Sequence, residues 1–143
     1  MFFGLCQWVL GQMNRNTPVI SAAEIRALQN DPNHQNSFVI VDVRSKSETD
    51  VSMIPGALTK SEFEEAANQH QGKLVIIYCT IGVRSGSYAT SLIRKGWQAF
   101  NYKGSILDWC QNKHPLMADG SETNKVHTYN RRYSVPDNYI DVH

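Results

Sequence analysis

A chain of 143 residues with 41% hydrophobic and 10% aromatic content can fill one core and is too short for two comfortable domains. Its formal net charge of +1 removes the electrostatic case for a nucleic-acid or membrane-surface partner. Three cysteines, Cys6, Cys79 and Cys110, are too few for a disulfide framework, which points to a reducing, cytoplasmic setting; no apolar run reaches the roughly 20 residues that span a bilayer.

The first 13 residues carry Phe2, Leu5, Cys6, Val9, Leu10 and Met13 at spacings of one helical face. No Lys or Arg precedes them, so they do not read as a secretory signal. Segment 1–15 is expected to lie outside the folded domain, as a helix packed on it or on a second copy. The domain is expected to run from 16 to 116. Pro18 to Ile20 is a short extended piece, and Ser21 with Glu24 makes a capping box for a helix whose apolar face holds Ile25 and Leu28. Phe38 to Val43 reads as a buried strand ending in Asp42-Val43-Arg44. Residues 45–57 show no period and close on the turn Ile54-Pro55-Gly56-Ala57. A short helix opens at Ser61 and ends near Gly72.

The stretch from Lys73 to Lys95 dominates the rest. Leu74 to Tyr78 is an unbroken apolar run, as in a strand buried on both faces of a parallel sheet. From Arg84 onward, Ala89, Leu92 and Ile93 fall at helical spacing, and Gly96 supplies a stop. Between strand and helix lies a loop that starts with Cys79 and ends with Arg84. Amides of such a loop converge above a helix N-terminus, where negative charge is favoured. A cysteine there ionises below its ordinary pKa of about 8.5. Ala99 to Tyr102 is a further strand, and Gly104 to Lys113 a helix with Ile106, Leu107 and Cys110 on one side. The alternation of strands and helices predicts an α/β fold, a parallel sheet flanked by helices on both faces, with ligands beyond the carboxyl ends of the strands. The tail, 117–143, is polar with interleaved tyrosines, and the sequence leaves open whether it folds back.

Taken in order, Val41-Asp42-Val43-Arg44 with Glu48, Ile54-Pro55-Gly56-Ala57, Tyr78-Cys79-Thr80-Ile81-Gly82-Val83-Arg84-Ser85, Lys95-Gly96, Tyr102-Lys103-Gly104, Trp109 and Pro115-Leu116 resemble a single-domain rhodanese. The resemblance covers about seventy per cent of the chain. It implies a sulfurtransferase in which Cys79 takes the outer sulfur of a donor such as thiosulfate as a persulfide. The sulfur then passes to cyanide, a thiol or a protein acceptor. The active loop would comprise Thr80, Ile81, Gly82, Val83, Arg84 and Ser85, with Asp42 and Arg44 as supports and no cofactor or metal. Thr49 and Ser52-Met53 depart from the family pattern, where an aromatic and Gly-His are usual, on a rim that bears on the acceptor.

The residues argue the same chemistry on their own. Amides of Thr80 to Ser85 can stabilise a charged sulfur as an oxyanion hole stabilises oxygen, and Gly82 lets the loop turn tightly. Arg84 either holds the loop through its planar fork or meets the incoming anion, and its charge favours the thiolate. An inert core thiol fits poorly between a strand end and a Gly-Val-Arg-Ser turn. Cys110 reads as core, with a resolving thiol as the alternative. Asp42 can orient the loop by accepting N–H bonds, and Arg44 is either the partner of Glu48 or a guide for the anion. The five histidines show no ligand spacing. A phosphatase or arsenate reductase, which shares the thiolate cradle, places five residues between cysteine and arginine; here four intervene. The other rival is a binding module or sulfur carrier serving one protein partner.

Overall fold

The β-branched runs at Phe38–Asp42 (β1) and Leu74–Tyr78 (β3) pair in parallel along five residues, Phe38 opposite Leu74 through Asp42 opposite Tyr78. The computed structural model that shows this describes residues 17–143, so the expectations for 1–15 and Cys6 fall outside the described residues. Leu58–Thr59 (β2) lies beside the last two residues of β1, and Ala99–Asn101 (β4) beside β3, in the order β2-β1-β3-β4, all parallel. Val19 bridges to Asn101 and extends the β4 edge.

Both faces of the sheet are covered, as the continuous apolar runs require. Ile40, Ile76, Tyr78 and Phe100 pack with Ile25 and Leu28 of Ala22–Asn30 (α1) and with Ile106, Trp109 and Cys110 of Ser105–Gln111 (α5). Val39, Val41, Val75 and Ile77 pack on the other side. Their neighbours are Phe63 of Lys60–Glu65 (α3) and Ala89 and Leu92 of Val83–Arg94 (α4). The capping box at Ser21 and Glu24 forms as its sequence predicts. Gly96, at φ 95°, follows the end of α4.

Two local differences have plain causes. Ser45 and Glu48 form a second capping box that starts a one-turn helix, Lys46–Thr49 (α2). Four residues are too few to show a hydrophobic period. Likewise α3, expected to open at Ser61 and end near Gly72, starts at Lys60 because Thr59 caps it and stops at Glu65, and a separate 3-10 turn at Ala67–His70 follows.

The tail folds back onto the domain. Leu116–Ala118 (β5) and Ser121–Thr123 (β6) form a hairpin, and Met117 exchanges two backbone hydrogen bonds with Met53. Lys125–His127 (β7) and Ile140–Val142 (β8) pair in parallel, and Val126 is fully buried in the α1/α5 core. Among the described residues no helix is long and apolar enough to cross a membrane.

Candidate active site

β3 ends at Tyr78, so Cys79 emerges at the carboxyl end of the central strand, where α4 begins four residues later. The intervening loop turns on Gly82 at φ 93°. A Cβ there would lie 2.3 Å from the Lys103 carbonyl oxygen, so both the backbone conformation and the space demand glycine. The turn aims the Gly82 N–H at Cys79 Sγ, 3.1 Å away. Ser85 Oγ lies 3.3 Å from the sulfur, and Ser105 Oγ 3.8 Å.

Cys79 is buried, 1% exposed, and burial bears directly on its ionisation. Burial is the largest influence and raises the thiol pKa. Contacts with the Ser85 hydroxyl and amide, the Gly82 amide and the Ser105 hydroxyl outweigh it. The net result is a pKa below the ordinary thiol value. Cys110 has no such donors; burial in the apolar core pushes its thiol up to about 12, as suits an inert core residue.

A ring of polar contacts holds the cradle. Asn101, at the end of β4, accepts from Ser85 Oγ at 2.7 Å and donates to the Gly82 carbonyl at 3.1 Å. Ser105 accepts the Cys79 N–H at 3.1 Å and sits at φ 57°, a conformation uncommon for serine. Sequence alone did not single out Asn101 or Ser105. They carry no motif, and β4 and α5 bring them to the loop only through the sheet order.

Arg84 uses its planar fork. It donates to Glu48 Oε2 and Oε1 at 2.9 and 3.0 Å and to Thr80 Oγ1 at 3.0 Å, and its guanidinium lies 5.0 Å from the Tyr129 ring centroid. Of the two roles open to Arg84, the geometry has it holding the loop. For Glu48, burial raises the carboxyl pKa, but bonds from Arg84 and Ser45 outweigh it and bring it down to about 2. Glu48 is thus taken by Arg84, not Arg44. Arg44 pairs with Asp42 instead, through Nε at 3.0 Å and Nη2 at 2.9 Å, and donates to the Ser52 carbonyl at 2.7 Å. Residues two apart at a strand end share a face, which places this pair together. Both side chains are buried, and neither Asp42 nor Arg44 donates to or accepts from residues 79–85. Their reach is indirect: Asp42 anchors the strand end beside Tyr78. Among the described loop residues, Ile81 and Val83 point outward, 41% and 69% exposed. No group of His, Cys, Asp and Glu among the described residues is placed to hold a metal.

A parallel four-stranded sheet wrapped by helices, with a thiol in an amide cradle at the end of its central strand, defines a class of cysteine-loop α/β domains. The rhodanese-like domain model matches residues 21–112, and the chain belongs to that family. The fold is shared with thiosulfate sulfurtransferase from Pseudomonas aeruginosa, at TM-score 0.63 and 22% identity, over 79% of this chain and 22% of that one. It is also shared with a rhodanese-like domain protein from Staphylococcus aureus, at TM-score 0.60 and 23% identity, over 73% of this chain and all of that one. In sequence the chain is 27% identical over 120 residues to tRNA uridine(34) hydroxylase of Chlamydia felis (strain Fe/C-56). That alignment takes in 76% of this chain, which spans only 36% of the curated relative.

Proposed function

We propose that the chain is a sulfurtransferase working through a persulfide on Cys79. The observation that carries this reading is the enclosed sulfur with the Gly82 amide at 3.1 Å and the Ser85 hydroxyl at 3.3 Å. In the first step the Cys79 thiolate attacks the outer sulfur of a donor such as thiosulfate. A new S–S bond forms, the donor's S–S bond breaks, and sulfite leaves with the electron pair. In the second step cyanide or a thiolate attacks the outer sulfur, and Cys79 departs as the thiolate. No net redox change occurs, so no cofactor is called for. The cradle amides stabilise the anionic sulfur in both steps, as oxyanion-hole donors do for oxygen. The four-residue spacing from Cys79 to Arg84 makes a ring suited to one sulfur atom rather than to a tetrahedral phosphate. A free thiol with these requirements suits a reducing cytoplasm.

A second reading has its own support. Ile81, Val83 and Tyr129 are three of the exposed large hydrophobics, two on the loop and one over Arg84. An apolar rim around a buried thiol suits a protein acceptor, with little small-molecule turnover. The relative's name refers to a tRNA, for which this chain's net charge of +1 offers little attraction.

The test is mass spectrometry after incubation with thiosulfate, with turnover to cyanide assayed in parallel. Wild type should gain one sulfur on Cys79, and Cys79→Ser should gain none and show no turnover. Cys110→Ser should keep most of the rate. Turnover in Cys79→Ser, or loss only in Cys110→Ser, would overturn the assignment. A persulfide that forms but does not turn over on cyanide favours the protein-acceptor reading.

A further inference from the structure

Among the described residues the sheet order leaves the amino-terminal edge of β1 unpaired on one side, at the pole opposite Cys79. β2 joins β1 only from Val41 onward, opposite Leu58. The Leu74 N–H to Ser37 carbonyl bond and the Val43 N–H to Tyr78 carbonyl bond turn the odd-numbered peptide groups of β1 toward β3. Those of Phe38 and Ile40 therefore face the other way, and no strand lies beside the Phe38 N–H and carbonyl or the Ile40 N–H. Among the described residues none of these three groups is hydrogen-bonded on that side. An open edge is a template for an added strand.

This edge forms the floor of a cavity of about 470 Å³. Arg26 of α1 flanks one side, and His70 and Lys73, which precede β3, flank another. No aspartate or glutamate lines it, and neither Arg26 nor Lys73 joins an ion pair among the described residues. Arg26 gives one donor to Gln29 Oε1 at 2.9 Å, and Lys73 lies 3.4 Å from His70 Nδ1, so both keep further donors. The walls thus offer two unneutralised cations, and the floor offers backbone donors and an acceptor at strand spacing.

We propose that this groove binds an extended acidic segment of a partner protein, added as a short strand along Phe38 to Ile40 with carboxylates meeting Arg26 and Lys73. Successive side chains of a strand point to opposite faces, so adjacent acidic residues would reach the two flanks in turn. Segment 1–15 carries no carboxylate and leads into Val19 at the β4 edge, on the far side of the sheet. A second copy is disfavoured because it would bring the same cations together. The inference does not depend on the sulfur-transfer reading, because the groove lies at the amino end of the strands and Cys79 at the carboxyl end.

The probe is a fluorescent blocked hexapeptide, acetyl-Thr-Val-Glu-Glu-Val-Thr-amide, compared with its Gln-Gln counterpart, on the full chain. Anisotropy should show saturable binding of the acidic peptide, weakened by salt and weaker for the Gln-Gln peptide. Lys73→Gln and Arg26→Gln should each weaken it by about fivefold, and Cys79→Ser should leave it unchanged. Hydrogen exchange on wild type supplies a readout independent of any variant: the Phe38 amide should exchange fast in the free protein and slow on adding the acidic peptide. No binding, equal binding of both peptides, or binding without protection of that amide would overturn the proposal. So would equal binding of a peptide of residues 1–15, or protection that rises with protein concentration alone, which would make a second copy the occupant.

Discussion

At Gly82 two independent constraints fall on one residue. Its φ of 93° disfavours any side chain, and a Cβ would stand 2.3 Å from the Lys103 carbonyl oxygen. Gly82→Ala must therefore shift the loop, at about 2–3 kcal/mol, and with it the amide that meets Cys79 Sγ. The expected outcome is a loss of at least tenfold in thiosulfate turnover with a lowered melting temperature; wild-type turnover in a fully stable variant would contradict it. Ser85 tests the other donor. Its hydroxyl and amide both lower the Cys79 pKa, so Ser85→Ala should raise it while keeping the amide. Below the thiol pKa, reactivity tracks the thiolate fraction. Iodoacetamide alkylation of Cys79 at pH 7 should then slow several-fold. The wild-type profile should climb with pH to a plateau below the pH at which an ordinary thiol levels off.

Among elements, α2 is held to the active loop by the ion pair of Glu48 and Arg84. The Glu48 carboxyl is lowered from 4.5 to about 2, so its contribution to stability is fully present above pH 4.5 and is lost as the pH falls toward 2. Replacing it by Glu48→Gln removes that dependence. The variant should lose about 2 kcal/mol at pH 7, discounted because Arg84 is 38% exposed. Denaturant melts at pH 7 and pH 3 should show the difference between variant and wild type shrink in acid. An undiminished difference would show that Glu48 acts by packing. The same element marks where the sequence stopped being informative. Long apolar runs declared β1 and β3, and the Cys79-to-Arg84 spacing declared the loop. The one-turn α2 has no period, and which arginine Glu48 takes depends on tertiary distance. Asp42 and Arg44 were expected beside the loop as supports, but they pair with each other, and that pairing rests on the strand-end geometry. Asn101 and Ser105 were invisible because the sheet order, not sequence spacing, brings them to the active loop.

The whole molecule includes its tail. The family match stops at residue 112, yet Val126 is fully buried in the α1/α5 core and the His127 carbonyl accepts from Arg44 Nη1 at 3.3 Å. Tyr139 packs against the same core and donates its hydroxyl proton to the His114 carbonyl. The polar composition of 117–143 hid this anchorage, which rests on a few apolar residues spaced too far apart to form a pattern. Removing residues 124–143 would open the core at Val126 and leave the Arg44 guanidinium, already paired with Asp42, without one carbonyl. At about 3 kcal/mol for the buried valine and the lost contacts, the melting temperature should fall by about 10 °C. Val126→Ala alone should account for about 1–2 kcal/mol of that. Tyr129→Ala separates the tail's structural part from its part at the active loop. Tyr129 is 60% exposed with its ring against Arg84, so stability should change little. If the apolar rim receives a protein acceptor, sulfur transfer to cyanide should persist in Tyr129→Ala while transfer to the protein acceptor weakens. Equal loss on both acceptors would show that Tyr129 acts through Arg84 on the loop itself.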